Sequence, residues 1–94
     1  MAVHFSLPGV LRPYADDEAA VDVPAERAPT LGAALDVLAA RYPALDRRLR
    51  DERGALRRYV NFYVDGEECR RLAGTETPVA DGAEILVLPS IAGG

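Results

Sequence analysis

Lysine and tryptophan are absent from this 94-residue sequence, and cysteine, histidine and methionine occur once each. A lone Cys69 excludes an internal disulfide framework, and with it any four-cysteine cluster or zinc site built within the chain. His4 and Cys69 are the only sources of imidazole and thiol chemistry, and neither belongs to a Ser, His and Asp or a Cys and His grouping, so both read as structural. No segment carries a Gly-rich phosphate loop, which argues against intrinsic nucleotide binding. No apolar run approaches membrane-spanning length and no basic segment leads the N-terminus, so neither secretion nor insertion is expected and a cytoplasmic location is. The formal net charge of -4 is spread along the chain, which speaks against nucleic acid or an anionic membrane as the partner and for a basic partner surface. All eleven basic residues are arginine, a pattern that codon bias in a GC-rich genome explains.

What is present is a sequence of short periodic segments. Val3, Phe5 and Leu7 alternate with polar residues and stop at Pro8, which predicts a half-buried strand, and Glu18 to Val23, closed by Pro24, predicts its hairpin partner. Thr30 is an N-cap residue, after which Leu31, Ala34, Leu35, Leu38 and Tyr42 recur at helical spacing until Pro43. Leu45 and Leu49 predict a short helical turn and little more, with a loop over 51–54. Val60, Phe62 and Val64 alternate before Asp65-Gly66, a strong hairpin signal, and a brief strand around Cys69 to Leu72 is expected to pair back. Asp81-Gly82 precedes Ile85-Leu86-Val87-Leu88, a run expected in a strand covered on both faces, and Pro89 ends it.

This order predicts an α+β fold: a β-grasp, or ubiquitin-like, roll with a mixed sheet of about four to five strands and one main helix packed on one face. The domain is expected over 1–90, with 91–94 as a flexible Gly-Gly tail and the chain a monomer when alone.

The sequence closes Leu88-Pro89-Ser90-Ile91-Ala92-Gly93-Gly94. Together with the Leu11-Arg12-Pro13 loop, the Thr30-Leu31 helix start, the Val60 to Val64 strand and the Val79 to Gly82 turn, this ending resembles the MoaD/ThiS-like family of sulfur carriers. That family includes the molybdopterin-synthase small subunit and the thiamine-pathway carrier. The wording of the tail is most similar to that of carriers feeding a cysteine-forming synthase. The resemblance implies that the chain is no enzyme but a protein cosubstrate. An E1-like activating enzyme, using ATP and magnesium, adenylates the Gly94 carboxylate and exchanges AMP for sulfur, and the resulting thiocarboxylate serves a sulfur-accepting synthase. The acceptor is a cysteine-synthase-like enzyme, the molybdopterin-synthase large subunit or another thio-metabolite enzyme. No cofactor or metal bound by the chain itself is implied.

Elementary geometry supports such a tail. Pro89 cannot donate a ladder hydrogen bond, and Ile91, Ala92, Gly93 and Gly94 reach at most about 14 Å when extended, enough to enter a partner's active site. Glycines without Cβ pass a narrow channel. Phe62, Tyr63 and Leu88 are candidates for an apolar partner-binding face of the sheet, with period-2 burial in the core as an equal reading of Phe62. Arg47, Arg48, Arg50, Arg53, Arg57 and Arg58 cluster in sequence; a solvated face interleaved with Asp46, Asp51 and Glu52 is the plainer reading of them, a docking patch the other. Three other functions remain open at this point: a molybdopterin-synthase subunit, a ubiquitin-like covalent modifier, and a binding module with an inert tail.

Overall fold

Burial alternates along the first strand as the sequence predicts. The computed structural model describes residues 1–89, and in β1 (Ala2–Ser6) Val3 and Phe5 are buried while their neighbours are half-exposed. β2 (Ala20–Pro24) returns antiparallel, pairing Ala2 with Pro24 and Ser6 with Ala20. It starts two residues later than expected because Asp16 and Asp17 both adopt positive φ, so the reversal is still being completed there. A 3-10 turn over Arg12–Ala15 fills what reads in sequence as an open loop. Pro24 is tolerated because β2 is an edge strand, where a missing N–H costs no ladder bond.

The helix α1 (Leu31–Arg41) begins where expected: Thr30 is extended, and its Oγ1 accepts the Ala33 N–H at 3.1 Å. It buries Leu31, Ala34, Leu35 and Leu38. Gly32 allows a close approach, since a Cβ there would lie 3.1 Å from the Thr75 carbonyl oxygen. Pro43 stops α1 by forcing Tyr42 out of the helical region, and it also opens α2 (Pro43–Leu49), where the N–H it lacks would have had no helical partner. This second helix is a correction. Periodicity offered only Leu45 and Leu49, yet both are fully buried, and that anchoring sustains seven helical residues instead of a single turn.

β3 (Val60–Val64) and β5 (Glu84–Pro89) form a second antiparallel pair, from Val60 opposite Pro89 to Val64 opposite Ile85. β5 also runs parallel to β1, with His4, Phe5 and Ser6 beside Glu84, Ile85 and Leu86. The strand β4 (Glu67–Glu68) pairs at once with Val64 and Tyr63, earlier than the 69–72 expected. The turn explains the shift. Asp65 and Gly66 have φ of 49° and 89°, the two-residue geometry that leaves no loop between the strands. The Glu68 side chain then accepts the Arg70 N–H at 3.2 Å and bends Cys69–Arg71 into a 3-10 turn.

The sheet order is β2-β1-β5-β3-β4, a mixed five-stranded β-grasp roll. Both helices lie on one face, over Val3, Phe5, Phe62, Ile85 and Val87. The expectation that β5 is covered on both faces therefore fails: Ile85 and Val87 are fully buried, whereas Leu86 and Leu88 are 42% and 39% exposed. Among the described residues no helix is long and apolar enough to cross a membrane.

Replacing Thr30 by Ala removes the one side-chain cap of α1 and is expected to lower stability by about 1 kcal/mol. Urea denaturation checks this; an unshifted midpoint would mean that tertiary packing alone sets the start of the helix.

Candidate functional site

β5 carries the chain out of the sheet. Its last residue, Pro89, is opposite Val60 of β3, three residues beyond Leu86, where the pairing with β1 ends. The predicted reacting group on Gly94 and the threading residues Ile91, Ala92 and Gly93 lie outside the described residues.

Beside this exit the open face of the sheet is apolar at its centre. Leu86 is in register with Tyr63 on β3 and with Ser6 on β1, and Leu88 is in register with Asn61. Tyr63, Leu86 and Leu88 line a shallow groove of about 620 Å³ whose far end is acidic, with Asp65 and Glu84. That end is held by two bonds: the Glu84 N–H donates to Asp65 Oδ1 at 2.9 Å, and the Asp65 N–H donates to the Glu84 carbonyl at 2.8 Å. At the opposite edge His4 Nδ1 and Asp22 Oδ1 are 2.7 Å apart. Tyr63 and Leu88 thus share one face, as expected. Phe62 does not join them: it is fully buried on the helix side, because successive residues of a strand point to opposite faces. The residue that sequence reasoning missed is Leu86. Its place is taken from strand pairing, which an unbroken apolar run conceals.

Arg70 ties down the rim of the exit. Its Nη1 donates to Asn61 Oδ1 at 3.2 Å and its Nη2 to the Arg57 carbonyl at 2.8 Å, joining the segment before β3 to the turn after β4. The arginines predicted to cluster divide into two groups. Arg50 is bound by Asp36 and Asp46, each at 2.8 Å, so it is spent on a structural ion pair, and the charge on those carboxylates outweighs burial and raises its pKa. Asp51 accepts the Ala55 and Arg53 N–H groups, which hold its carboxyl below the usual range. Arg47, Arg48 and Arg57 take no part in these ion pairs and border a neighbouring groove, though Arg47 and Arg57 also line the one that holds Asp46, Asp51 and Glu52.

Cys69 is fully buried, and desolvation, followed by the nearby Glu68 carboxylate, pushes its thiol pKa up. Among the described residues no three His, Cys, Asp or Glu side chains gather as metal ligands.

The profile of the ThiS family matches residues 6–94. The chain belongs to the ThiS family. Over the full length of both chains it is 38% identical to the sulfur carrier protein CysO of Mycobacterium tuberculosis. The crystal structure of M. tuberculosis CysO superimposes with a TM-score of 0.85 at 36% identity, covering 95% of this chain and 99% of that one. CysO in the BexX/CysO complex of Amycolatopsis orientalis gives a TM-score of 0.88 at 33% identity over 99% and 100%. SAMP1 of Haloferax volcanii gives 0.82 at 29% identity over the whole of both chains. The β-grasp topology and the family predicted from the sequence are both borne out.

Two measurements test how this ThiS-family chain divides its residues between core and surface. Phe62→Ala is expected to cost about 3 to 5 kcal/mol, whereas Leu88→Ser stays within about 1 kcal/mol of wild type because the side chain is already partly in water. Comparable losses in a denaturation series would contradict the assignment of faces. Cys69 is expected to react with a thiol-specific reagent at least about 100-fold more slowly in the native protein than in denaturant; fast native labelling would show that the buried thiol is open to solvent.

Proposed function

We propose that the chain is a sulfur carrier whose reacting group is the carboxylate of Gly94, the last residue of the sequence. The observation that supports this best is the position of the exit. The central strand of the sheet runs to Pro89, next to an exposed apolar face, and five residues of the sequence follow it to Gly94. Full-length similarity to sulfur carriers supports the same reading.

In this reading the folded body is a handle and the chemistry belongs to partners. A free carboxylate is a poor electrophile, so an E1-like enzyme first converts it, with ATP and magnesium, to an acyl-adenylate with release of pyrophosphate. A sulfide equivalent then attacks the acyl carbon and AMP leaves, giving the thiocarboxylate. Its soft, anionic sulfur attacks electrophilic carbon in a second enzyme, which we infer to be a cysteine-forming synthase. The face formed by Tyr63, Leu86 and Leu88 is the surface we assign to the activating enzyme: large apolar side chains bind best when water is excluded around them, and this face is unoccupied by the chain's own helices. Work in the cytoplasm fits a reaction supplied by ATP.

A second reading is a covalent modifier, favoured by the likeness to the small archaeal modifier SAMP1 of H. volcanii. There the activated Gly94 would be joined to lysines of other proteins and not loaded with sulfur.

The test is to incubate the chain with its activating enzyme, magnesium-ATP and a sulfur source, and to read the intact mass. The expected result is the mass gain of one oxygen exchanged for one sulfur, located on the C-terminal peptide and abolished by deleting Gly93 and Gly94. Covalent adducts with other proteins in place of that gain would select the modifier. Unchanged mass with an enzyme that loads another carrier would overturn the proposal.

A further inference from the structure

On the helix side of the tail exit lies a surface of different chemistry. Tyr14, Arg47, Arg48, Arg57 and Tyr59 line a shallow groove of about 330 Å³ that contains no carboxylate. The adjoining groove, bounded by Asp36, Asp46, Asp51 and Glu52 as well as by arginines, is charge-balanced. Arg47 and Arg57 stand on the ridge between the two grooves, beside carboxylates in the second and beside Arg48, Tyr14 and Tyr59 in the first. On a domain with a net charge of -4, a carboxylate-free patch with three arginines is a local reversal of sign.

The patch is also organised. The Arg48 guanidinium lies 4.5 Å from the centre of the Tyr14 ring, which holds it flat against an aromatic face. Arg57 Nε donates to the Arg47 carbonyl at 2.7 Å, closing the C-terminal end of α2 and fixing the base of its fork. Tyr59 is 52% exposed, unusual for so large a side chain, and directly precedes Val60, the residue paired with Pro89. The patch is therefore at the base of the tail, on the side of the sheet away from Leu86 and Leu88.

An enzyme that takes the tail into its active site must press the domain against the entrance, so its rim meets the surface around Pro89. Two such enzymes follow from the proposed function, and two unlike surfaces border the exit. We propose that the groove of Arg47, Arg48, Arg57, Tyr14 and Tyr59 is the docking surface for the sulfur-accepting enzyme, whose entrance is rimmed by carboxylates. This rests on the sulfur-carrier reading. Planar guanidinium forks meet carboxylates with two hydrogen bonds, and Arg and Tyr are the side chains that contribute most at protein interfaces. A small phosphate ligand fits the groove less well, because the cations stand on an open surface with no enclosed pocket behind them.

The test uses the full chain with Arg47→Glu and Arg48→Glu together, both exposed positions, after circular dichroism confirms the fold. With the activating enzyme and the cysteine-forming synthase of the same organism as probes, loading of sulfur is expected to stay within about twofold of wild type, while transfer from the loaded chain to the synthase falls by about tenfold or more in kcat/KM at low ionic strength. That gap should narrow as salt is added, and Arg47→Lys with Arg48→Lys should recover part of the loss. Unimpaired transfer, or an equal loss in both steps, would overturn the proposal. So would binding of inorganic pyrophosphate that the double variant abolishes while transfer stays intact, since the groove would then be an anion site. Direct binding of the unloaded chain to the synthase is measured in parallel. If wild type takes up no sulfur, the sulfur-carrier reading fails by itself; binding that the double variant alone loses still sustains the docking surface, and absent or undiminished binding removes it.

Discussion

β5 is the last strand in sequence and the middle strand in space, paired parallel to β1 and antiparallel to β3. A strand so placed is held by ladder bonds on both sides, and Ile85 and Val87 anchor it from below under α1 and α2. The strand that leads to Pro89 is thereby tied into the sheet on both sides as far as Leu86, and by β3 alone from there to Pro89. Burying both helices on one face supplies the core, and it also leaves Leu86 and Leu88 in water on the other. One arrangement accounts for the stable anchor and for the exposed apolar surface beside it.

Polar groups reinforce the same layout. Thr77 is the one buried polar residue among those described, and its Oγ1 accepts the Ala73 N–H at 3.1 Å, so the segment joining β4 to β5 carries no unsatisfied hydroxyl into the core. Arg50 pairs with carboxylates from both helices, linking Asp36 of α1 to Asp46 of α2. That contact sets Arg50 apart from Arg47, Arg48 and Arg57, which take no part in it.

The fold was legible wherever local chemistry and tertiary structure agree. Thr30, Pro43, Pro89 and the alternations around Phe5 and Phe62 each state a boundary or a face that packing later respects. What was hidden depends on pairing or on cover. The early start of β4 follows from positive φ at Asp65 and Gly66 together, a geometry that Asp-Gly permits but does not impose. The extra turns of α2 depend on where Leu45 and Leu49 find a core. The run Ile85 to Leu88 contains nothing to say that only one face is covered; this follows from both helices choosing the same side. The candidate site divides in the same way. Tyr63 and Leu88 were named as a face together with Phe62 from how ubiquitin-like sheets meet partners, Leu86 was obscured by its apolar neighbours, and Phe62 follows the period-2 burial that was its other reading. The arginine cluster was visible as a list, but only folding separates Arg50, held by Asp36 and Asp46, from Arg47, Arg48 and Arg57, which enter none of the ion pairs found among the described residues.

The absence of lysine takes on a meaning from the direction of the strands. In the proposed function an acyl group activated at Gly94 is open to attack by any amine it can reach, and no lysine side chain in this sequence offers one. Because β1 and β5 are parallel, Met1 stands beyond the beginning of β5 while the tail leaves from its end. In the register of His4 with Glu84, Met1 and Pro89 are separated by eight residues along the pair, about 26 Å at strand rise. Five residues beyond Pro89 extend at most about 17 Å. The backbone nitrogen of Met1 is thus out of reach of Gly94 along this pair of strands. On the proposed function, an acyl-adenylate formed at Gly94 would meet neither a lysine of its own chain nor that nitrogen, and the choice between sulfur transfer and conjugation would fall to the partner enzyme.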